Sequence, residues 1–306
     1  MVIRYINPFI DFGFKKLFGT EANKDILISF LNAVIEDAAD PILDLFPKNV
    51  EQIGEFNGDK TCYFDVYCQT ANGRRFIVEM QNSWKPFFKD RTLYYAARAI
   101  QEQGVKSDPT KRESEDNTKT KTKKWNYRLS EVYVIALMNF NFPKKEYQPG
   151  DYYHRIMLAD LDDNHVFYDK LTLIYLEMSK VGKAKLDMNR PLDRWLRVLY
   201  RLWGEEECPP EIDEPIFKKL YREAEYACFT PDQQLNYMRS WKKELDIYSE
   251  IEGGRILGYE EGHEEGRKEG RKESLLEVAR NMKALGLDDE TILKVTGIEE
   301  GHFVIE

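Results

Sequence analysis

The feature that most constrains the fold is a nearly unbroken apolar run of nine residues, 132–140 (VYVIALMNF). A strand with one face in water alternates apolar and polar residues, whereas a continuous run is typical of a strand buried on both faces. Such a strand belongs to a sheet that is covered by helices on both sides. The run is much shorter than the ~20 apolar residues of a bilayer-spanning helix, so we expect no membrane segment.

Helical periodicity and a further strand surround this run. Residues 171–178 predict a second strand, and apolar residues at three-to-four spacing predict several helices. The predicted helices lie within 26–35, 87–104, 191–203, 214–227 and 231–252. Strands in the middle of the chain, with helices before, between and after them, indicate an α/β fold in which a mixed β-sheet is flanked by helices.

The C-terminal region has a different pattern. Five glycines recur every four residues inside a charged helical stretch: Gly254, Gly258, Gly262, Gly266 and Gly270. Each costs about 1 kcal/mol relative to alanine in a helix, so the stripe either lets another helix approach closely or leaves the segment weakly ordered. We predict a domain of residues 1–250 and a charged helical region of residues 251–306, through which the chain could form a homo-oligomer.

Charge is unevenly distributed along the chain. Of the net charge of −9, residues 250–306 carry −7. The stretch 105–124 contains no apolar residue after the first and is predicted to be a flexible insertion. Lysines are concentrated at 119–124 within it. Because a local basic segment matters more for phosphate binding than the total charge, DNA remains a candidate partner.

The sequence contains neither a secretory-signal pattern nor a zinc pattern. The first residues lack a basic start followed by an apolar stretch and a cleavage site, so we expect a cytoplasmic protein. The four cysteines and four histidines never fall at zinc-ligand spacing, so the sequence suggests neither a structural zinc site nor a disulfide framework. A metal would therefore be held by oxygen ligands, which favours Mg²⁺ or Mn²⁺.

Residues 62–70 and 74–82 alternate apolar and polar side chains around Ala71-Asn72-Gly73, which predicts a β-hairpin. A two-residue turn would mix apolar and polar residues across the strands, whereas a three-residue loop with Gly73 at positive φ shifts the pairing by one residue. In that register the apolar residues oppose one another: Phe64, Val66 and Cys68 face Met80, Val78 and Phe76. Because one side then becomes wholly apolar, this register is the predicted one.

The same register makes Asp65 and Glu79 direct cross-strand neighbours, with Cβ atoms about 5 Å apart. Two opposed carboxylates repel each other unless a positive charge lies between them, and a divalent cation is the simplest such charge. Gln81 would project beside that ion. The alternative is a solvated strand face whose acids point to water. The buried strand at 132–140 favours the first interpretation, because a sheet packed by helices leaves such a face lining a cleft.

Four segments carry a resemblance to a known family: Asp11–Gly19 (DFGFKKLFG), Phe64–Tyr67 (FDVY), Ile77–Gln81 (IVEMQ), and Arg91 with Tyr94 and Tyr95. Together they resemble the PD-(D/E)xK nuclease superfamily and, more narrowly, its Rpn-type branch of recombination-promoting nucleases, also described as transposases. The resemblance implies a restriction-endonuclease-like core in which Asp65 and Glu79 bind Mg²⁺ or Mn²⁺ and activate water. Gln81 stands where the superfamily usually has lysine. The resemblance to the Rpn-type branch, however, includes the pattern Glu-x-Gln at this place.

Three further residues are candidates for the neighbourhood of the acids. Asp11 either lies near them or caps the helix that follows it. Lys15 and Arg91 either contact phosphate or extend into solvent from their helices.

The predicted function is that of a magnesium-dependent DNA endonuclease acting in recombination or on mobile elements, with Asp65, Glu79 and Gln81 as catalytic residues. A neutral glutamine can only orient groups through hydrogen bonds, so catalysis is less firmly implied than metal binding. One alternative is a non-catalytic DNA-binding or transposition accessory protein. The other is a protein-interaction module that assembles through its C-terminal helices.

Overall fold

The computed structural model describes residues 3–52, 62–105, 126–143 and 150–298. The chain forms two compact units, Met1–Glu244 and Leu245–Glu306. No helix within the described ranges is both long and apolar enough to cross a membrane. The predicted insertion at 105–124 lies outside the described residues, except for Val105, which ends a helix.

The first unit is built on a mixed sheet of six strands. These are β1 (Phe46–Pro47), β4 (Val66–Gln69), β5 (Arg75–Gln81), β6 (Val132–Met138), β7 (Tyr153–Ala159) and β8 (Val166–Glu177). Their order across the sheet is β1-β4-β5-β6-β8-β7. The central strands β5, β6 and β8 are parallel, and the other pairs are antiparallel. A separate ladder joins β2 (Glu51–Gln52) to β3 (Cys62–Tyr63).

The helices of this unit surround the sheet. They are α1 (Asp11–Phe18), α2 (Lys24–Ile35), α3 (Phe88–Val105), α4 (Met178–Val181), α5 (Pro191–Arg201), α6 (Pro215–Ala224) and the first part of α7 (Pro231–Ala284). Helix α3 is the crossover that connects the parallel strands β5 and β6, as a parallel connection requires. The α/β class with a helix-flanked mixed sheet is confirmed.

Strand β6 shows why its sequence is apolar throughout. All seven of its residues are buried. Tyr133, Ile135 and Leu137 join the main core, to which α1, α2, α5 and α6 contribute. Val132 and Val134 join a second cluster with α3 on the opposite face. The predicted burial of this strand on both faces is therefore confirmed.

The β4–β5 pair has the predicted register. Val66 pairs with Val78, and the Thr70 amide donates a hydrogen bond to the Arg74 carbonyl at 2.9 Å, which closes a three-residue loop. Gly73 lies in this loop with φ of +89°. The three-residue loop inferred from apolar matching is thus confirmed.

The strand that precedes the loop is shorter than predicted, because the chain bends at Asp65. Tyr63 belongs to β3 and pairs with β2 instead of continuing along β5. Beyond the bend, Phe64 packs edge-on against Tyr95 of α3, with ring centroids 5.0 Å apart. The prediction that Phe64 shares the face of Val66 is therefore wrong, since one irregular residue reverses the alternation.

The second unit contains the rest of α7 and the short helix α8 (Asp289–Thr296). Ala279 and Ile292, one from each helix, form its small apolar core. The Asp288 carboxylate accepts a hydrogen bond from the Thr291 amide at 2.9 Å and so caps α8. The five repeat glycines lie in α7, and a Cβ on any of them would meet no atom within 4 Å in the described part of the chain.

Substitution of Gly73 by alanine is expected to lower the free energy of unfolding by about 1–2 kcal/mol, because positive φ is unfavourable for a residue with a Cβ. The added Cβ would also lie 2.8 Å from Ser130 Oγ. Gly204→Ala is the matched control, since its Cβ would meet no atom of the described residues within 4 Å. Urea unfolding measures both variants. An equal loss of unfolding free energy in the two variants would contradict the positive φ of Gly73 in the loop.

Candidate active site

Asp65 and Glu79 are held side by side where β4 begins. The Asp65 amide donates a hydrogen bond to Glu79 Oε1 at 3.2 Å. In return, the Met80 amide donates to Asp65 Oδ2 at 2.9 Å. Each carboxylate is thus fixed by a backbone donor of the other segment, so the hairpin itself determines how the two acids are placed.

Both acids are largely removed from water. Glu79 is 2% exposed, and the Asp65 side chain is 19% exposed. Burial and, after it, the Asp65 charge raise the pKa of Glu79 to about 8. Burial also raises the pKa of Asp65, although the Met80 amide and Lys15 oppose this effect. The acids therefore do not point to bulk water, and the pair is short of positive charge.

Helix α1 brings Lys15 to the Asp65 side of the pair. The Lys15 Nζ atom lies 2.6 Å from Asp11 Oδ1 and 3.8 Å from Asp65 Oδ1. Asp11 is the first residue of α1, and the helix has no side-chain cap. The capping role considered for Asp11 is therefore wrong. Asp11 instead pairs with Lys15, whose Nζ also approaches Asp65, so Asp11 lies in the neighbourhood of the acids.

Helix α3 brings Arg91 to the Glu79 side. Arg91 Nη2 lies 3.3 Å from Glu79 Oε2, and Nη1 donates a hydrogen bond to Gln81 Oε1 at 3.3 Å. Its Nε donates to the Tyr95 hydroxyl at 2.7 Å, one helical turn further along α3. The guanidinium is thus oriented by a carboxylate, an amide and a phenol at once.

Gln81 is engaged at both ends of its amide. Its oxygen accepts from Arg91, and its Nε2 donates to the Ser83 carbonyl at 3.1 Å. The residue is 8% exposed. Sequence reasoning placed Gln81 beside the acids but did not foresee Ser83 or Tyr95 as partners. The four-residue spacing of Arg91 and Tyr95 on a predicted helix was the available signal for the contact with Tyr95.

Other charged groups form separate contacts. Lys16, next to Lys15, pairs with Glu223 at 3.1 Å. Among the described residues, the group of three side chains that could hold a metal is Asp160, Asp163 and His165, in the turn between β7 and β8. All three are exposed, and such acidic turns are common without a metal. The sequence prediction did not include this group.

The comparison with protein-family models agrees with this architecture. The family model described as PD-(D/E)XK nuclease family transposase matches residues 8–254. No curated protein and no solved structure matched the chain. The family match spans the six-stranded sheet, the hairpin that carries Asp65 and Glu79, and the helices that bring Lys15 and Arg91 to them. The chain therefore belongs to the PD-(D/E)XK nuclease family transposases.

Proposed function

We propose that this protein is a DNA endonuclease that depends on Mg²⁺ or Mn²⁺ and hydrolyses phosphodiester bonds, in recombination or in the movement of mobile elements. The observation that carries the proposal is the mutual fixation of the buried Glu79 and the partly buried Asp65 at the end of the hairpin. Membership in a nuclease-type family supports DNA as the substrate class, and the paired acids support metal-dependent hydrolysis.

The donor set fits a hard divalent cation. Two carboxylates supply oxygen ligands, which Mg²⁺ and Mn²⁺ prefer. Burial and, after it, the Asp65 charge raise the pKa of Glu79, and the positive charge of a dication would act against both effects. Asp65 and Glu79 would hold the ion, and when bound it would polarise the scissile phosphate and lower the pKa of a water molecule.

The protein groups perform the remaining tasks. The Met80 and Asp65 amides keep the two carboxylates aligned. Lys15 and Arg91 flank them with positive charge, which favours approach of an anionic DNA backbone. The closest rival function is a DNA-binding accessory protein on the same scaffold, which would bind DNA without cleaving it.

Asp65→Asn is expected to abolish plasmid nicking in magnesium, because it removes one charged ligand while keeping the side-chain shape. Asp169→Asn is the matched control, since Asp169 is an exposed acid of β8. Supercoiled plasmid on agarose gels measures nicking. Nicking that survives Asp65→Asn at the wild-type rate would contradict the proposed site, and no nicking by wild-type protein that still binds DNA would favour the accessory role.

Metal-free stability should depend on pH through Glu79. Its folded pKa of about 8 lies above its ordinary value of 4.5. The folded state therefore holds the proton more tightly, and stability falls as pH rises from about 4.5 to about 8. Glu79→Gln removes this loss, so the variant should exceed wild type by at least about 1 kcal/mol near pH 9, since one pKa unit corresponds to about 1.4 kcal/mol. Urea unfolding in a chelator measures the difference.

In wild-type protein, magnesium should offset the loss of stability that occurs as pH rises. Because protons compete with the metal for Glu79, stabilisation by magnesium should grow from pH 6 to pH 9. At one hundred times the dissociation constant it should reach about 2.7 kcal/mol. Glu79→Gln should lose this stabilisation, with Asp169→Asn again as the control. Full magnesium-dependent stabilisation of Glu79→Gln would place the metal elsewhere.

The proposal also includes assembly. One centre per chain cuts one strand, so a homo-oligomer formed through the helices of the second unit would bring two centres to one duplex. Sedimentation velocity of the whole chain tests this arrangement. A monomer at all concentrations, with or without DNA, would contradict it.

A further inference from the structure

The contacts of Arg91 raise the question of what this side chain does in the site. Its guanidinium has a separate partner for each nitrogen: Tyr95 for Nε, Gln81 for Nη1 and Glu79 for Nη2. It also lies over the Tyr95 ring, 5.1 Å from the ring centroid. Its side chain is nevertheless 36% exposed. The guanidinium is therefore oriented by three partners while part of the side chain stays exposed to solvent.

Gln81 explains part of that orientation. Its amide makes one hydrogen bond at each end, because Oε1 accepts from Arg91 and Nε2 donates to Ser83, so the amide is held with its oxygen toward the guanidinium. A lysine at this position would present only donors and a positive charge to Arg91, so the two would repel. An acceptor at position 81 is therefore what an arginine at position 91 requires.

We infer that Arg91 is the residue that stabilises the negative charge developing on the scissile phosphate, and that Gln81 is the residue that positions it. This inference rests on the proposed function and names the group that completes the same site. Arginine suits the task because its planar fork can keep two nitrogens on protein acceptors while it meets a phosphate oxygen. The positive charge that meets the phosphate thus comes from Arg91 on α3 and not from the residue at position 81 on β5.

Lys15 is the competing source of charge. Its Nζ lies 2.6 Å from Asp11, and 46% of its side chain is exposed. A flexible ammonium paired with an exposed acid is a poorly preorganised group, whereas transition-state stabilisation depends on donors that are already in place. We therefore assign Lys15 to balancing the charges of Asp11 and Asp65, and Arg91 to the phosphate.

Relocating the charge tests the assignment. Arg91→Gln should lower the single-turnover cleavage rate about 10²–10³-fold, which is the usual effect of removing one preorganised hydrogen-bond donor. Gln81→Lys should also be slow, because the introduced ammonium would lie against the Arg91 guanidinium. The double variant Gln81→Lys/Arg91→Gln should cleave at least tenfold faster than Arg91→Gln, because it restores one charge and one amide. A double variant no faster than the slower single variant would overturn the assignment.

Two further variants separate charge from structural support. Arg91→Lys keeps the charge but loses the fork, so it should retain a rate well above that of Arg91→Gln; equal rates would assign Arg91 to structure alone. Lys15→Met should lower the cleavage rate less than Arg91→Gln does. A larger loss of rate would mean that Lys15, and not Arg91, stabilises the phosphate charge. If Arg91→Gln does not fold, comparison of Arg91→Lys with Lys15→Met decides the question.

Binding without metal gives a second readout. In a chelator, Arg91→Gln should reduce the salt dependence of DNA binding by about one phosphate contact, whereas Asp90→Asn, a neighbouring exposed change, should not. An unchanged salt slope would count against contact with phosphate. The inference and the proposed function fail differently: wild-type protein that does not cleave refutes the function, whereas Asp65-dependent cleavage without rescue by the double variant refutes the inference alone.

Discussion

The site depends on the forced apposition of two carboxylates. Asp65 and Glu79 repel each other when both are ionised, yet the register of one hairpin and two backbone hydrogen bonds hold them together. The first unit supports this arrangement, because its main core buries one face of the hairpin and a second apolar cluster covers the other, which together fix the register. The repulsion contributes to the raised pKa of Glu79, for which burial is the largest cause.

The two flanking cations offset this repulsion only in part. Lys15 approaches from α1 and Arg91 from α3, so each acid has a positive neighbour on its own side. The pKa of Glu79 nevertheless stays at about 8, which means that the flanking charges do not outweigh burial. The proposed metal and the proposed role of Arg91 follow from this balance. The pair needs more positive charge, and a developing phosphate charge needs a fixed donor.

The sequence predicted those parts of the fold that local pattern and burial determine together. The apolar run 132–140 predicted a doubly covered strand, and apolar matching around Gly73 predicted the register. The bend at Asp65 was missed, since alternation contains no signal for a single irregular residue. Strand β7 was missed because it is mostly exposed at the sheet edge and lacks a clear apolar alternation. The contact between Arg91 and Gln81 could not be predicted, because it depends on how α3 docks on the sheet.

The most direct test of the central claim is the position of the metal. Anomalous scattering from a crystal soaked in manganese would locate it without reference to activity. We predict a peak within about 2.0–2.3 Å of carboxylate oxygens of both Asp65 and Glu79, a range that brackets the usual oxygen distances of small divalent cations. A peak confined to the exposed turn at Asp160, Asp163 and His165, with none at the hairpin, would contradict the account.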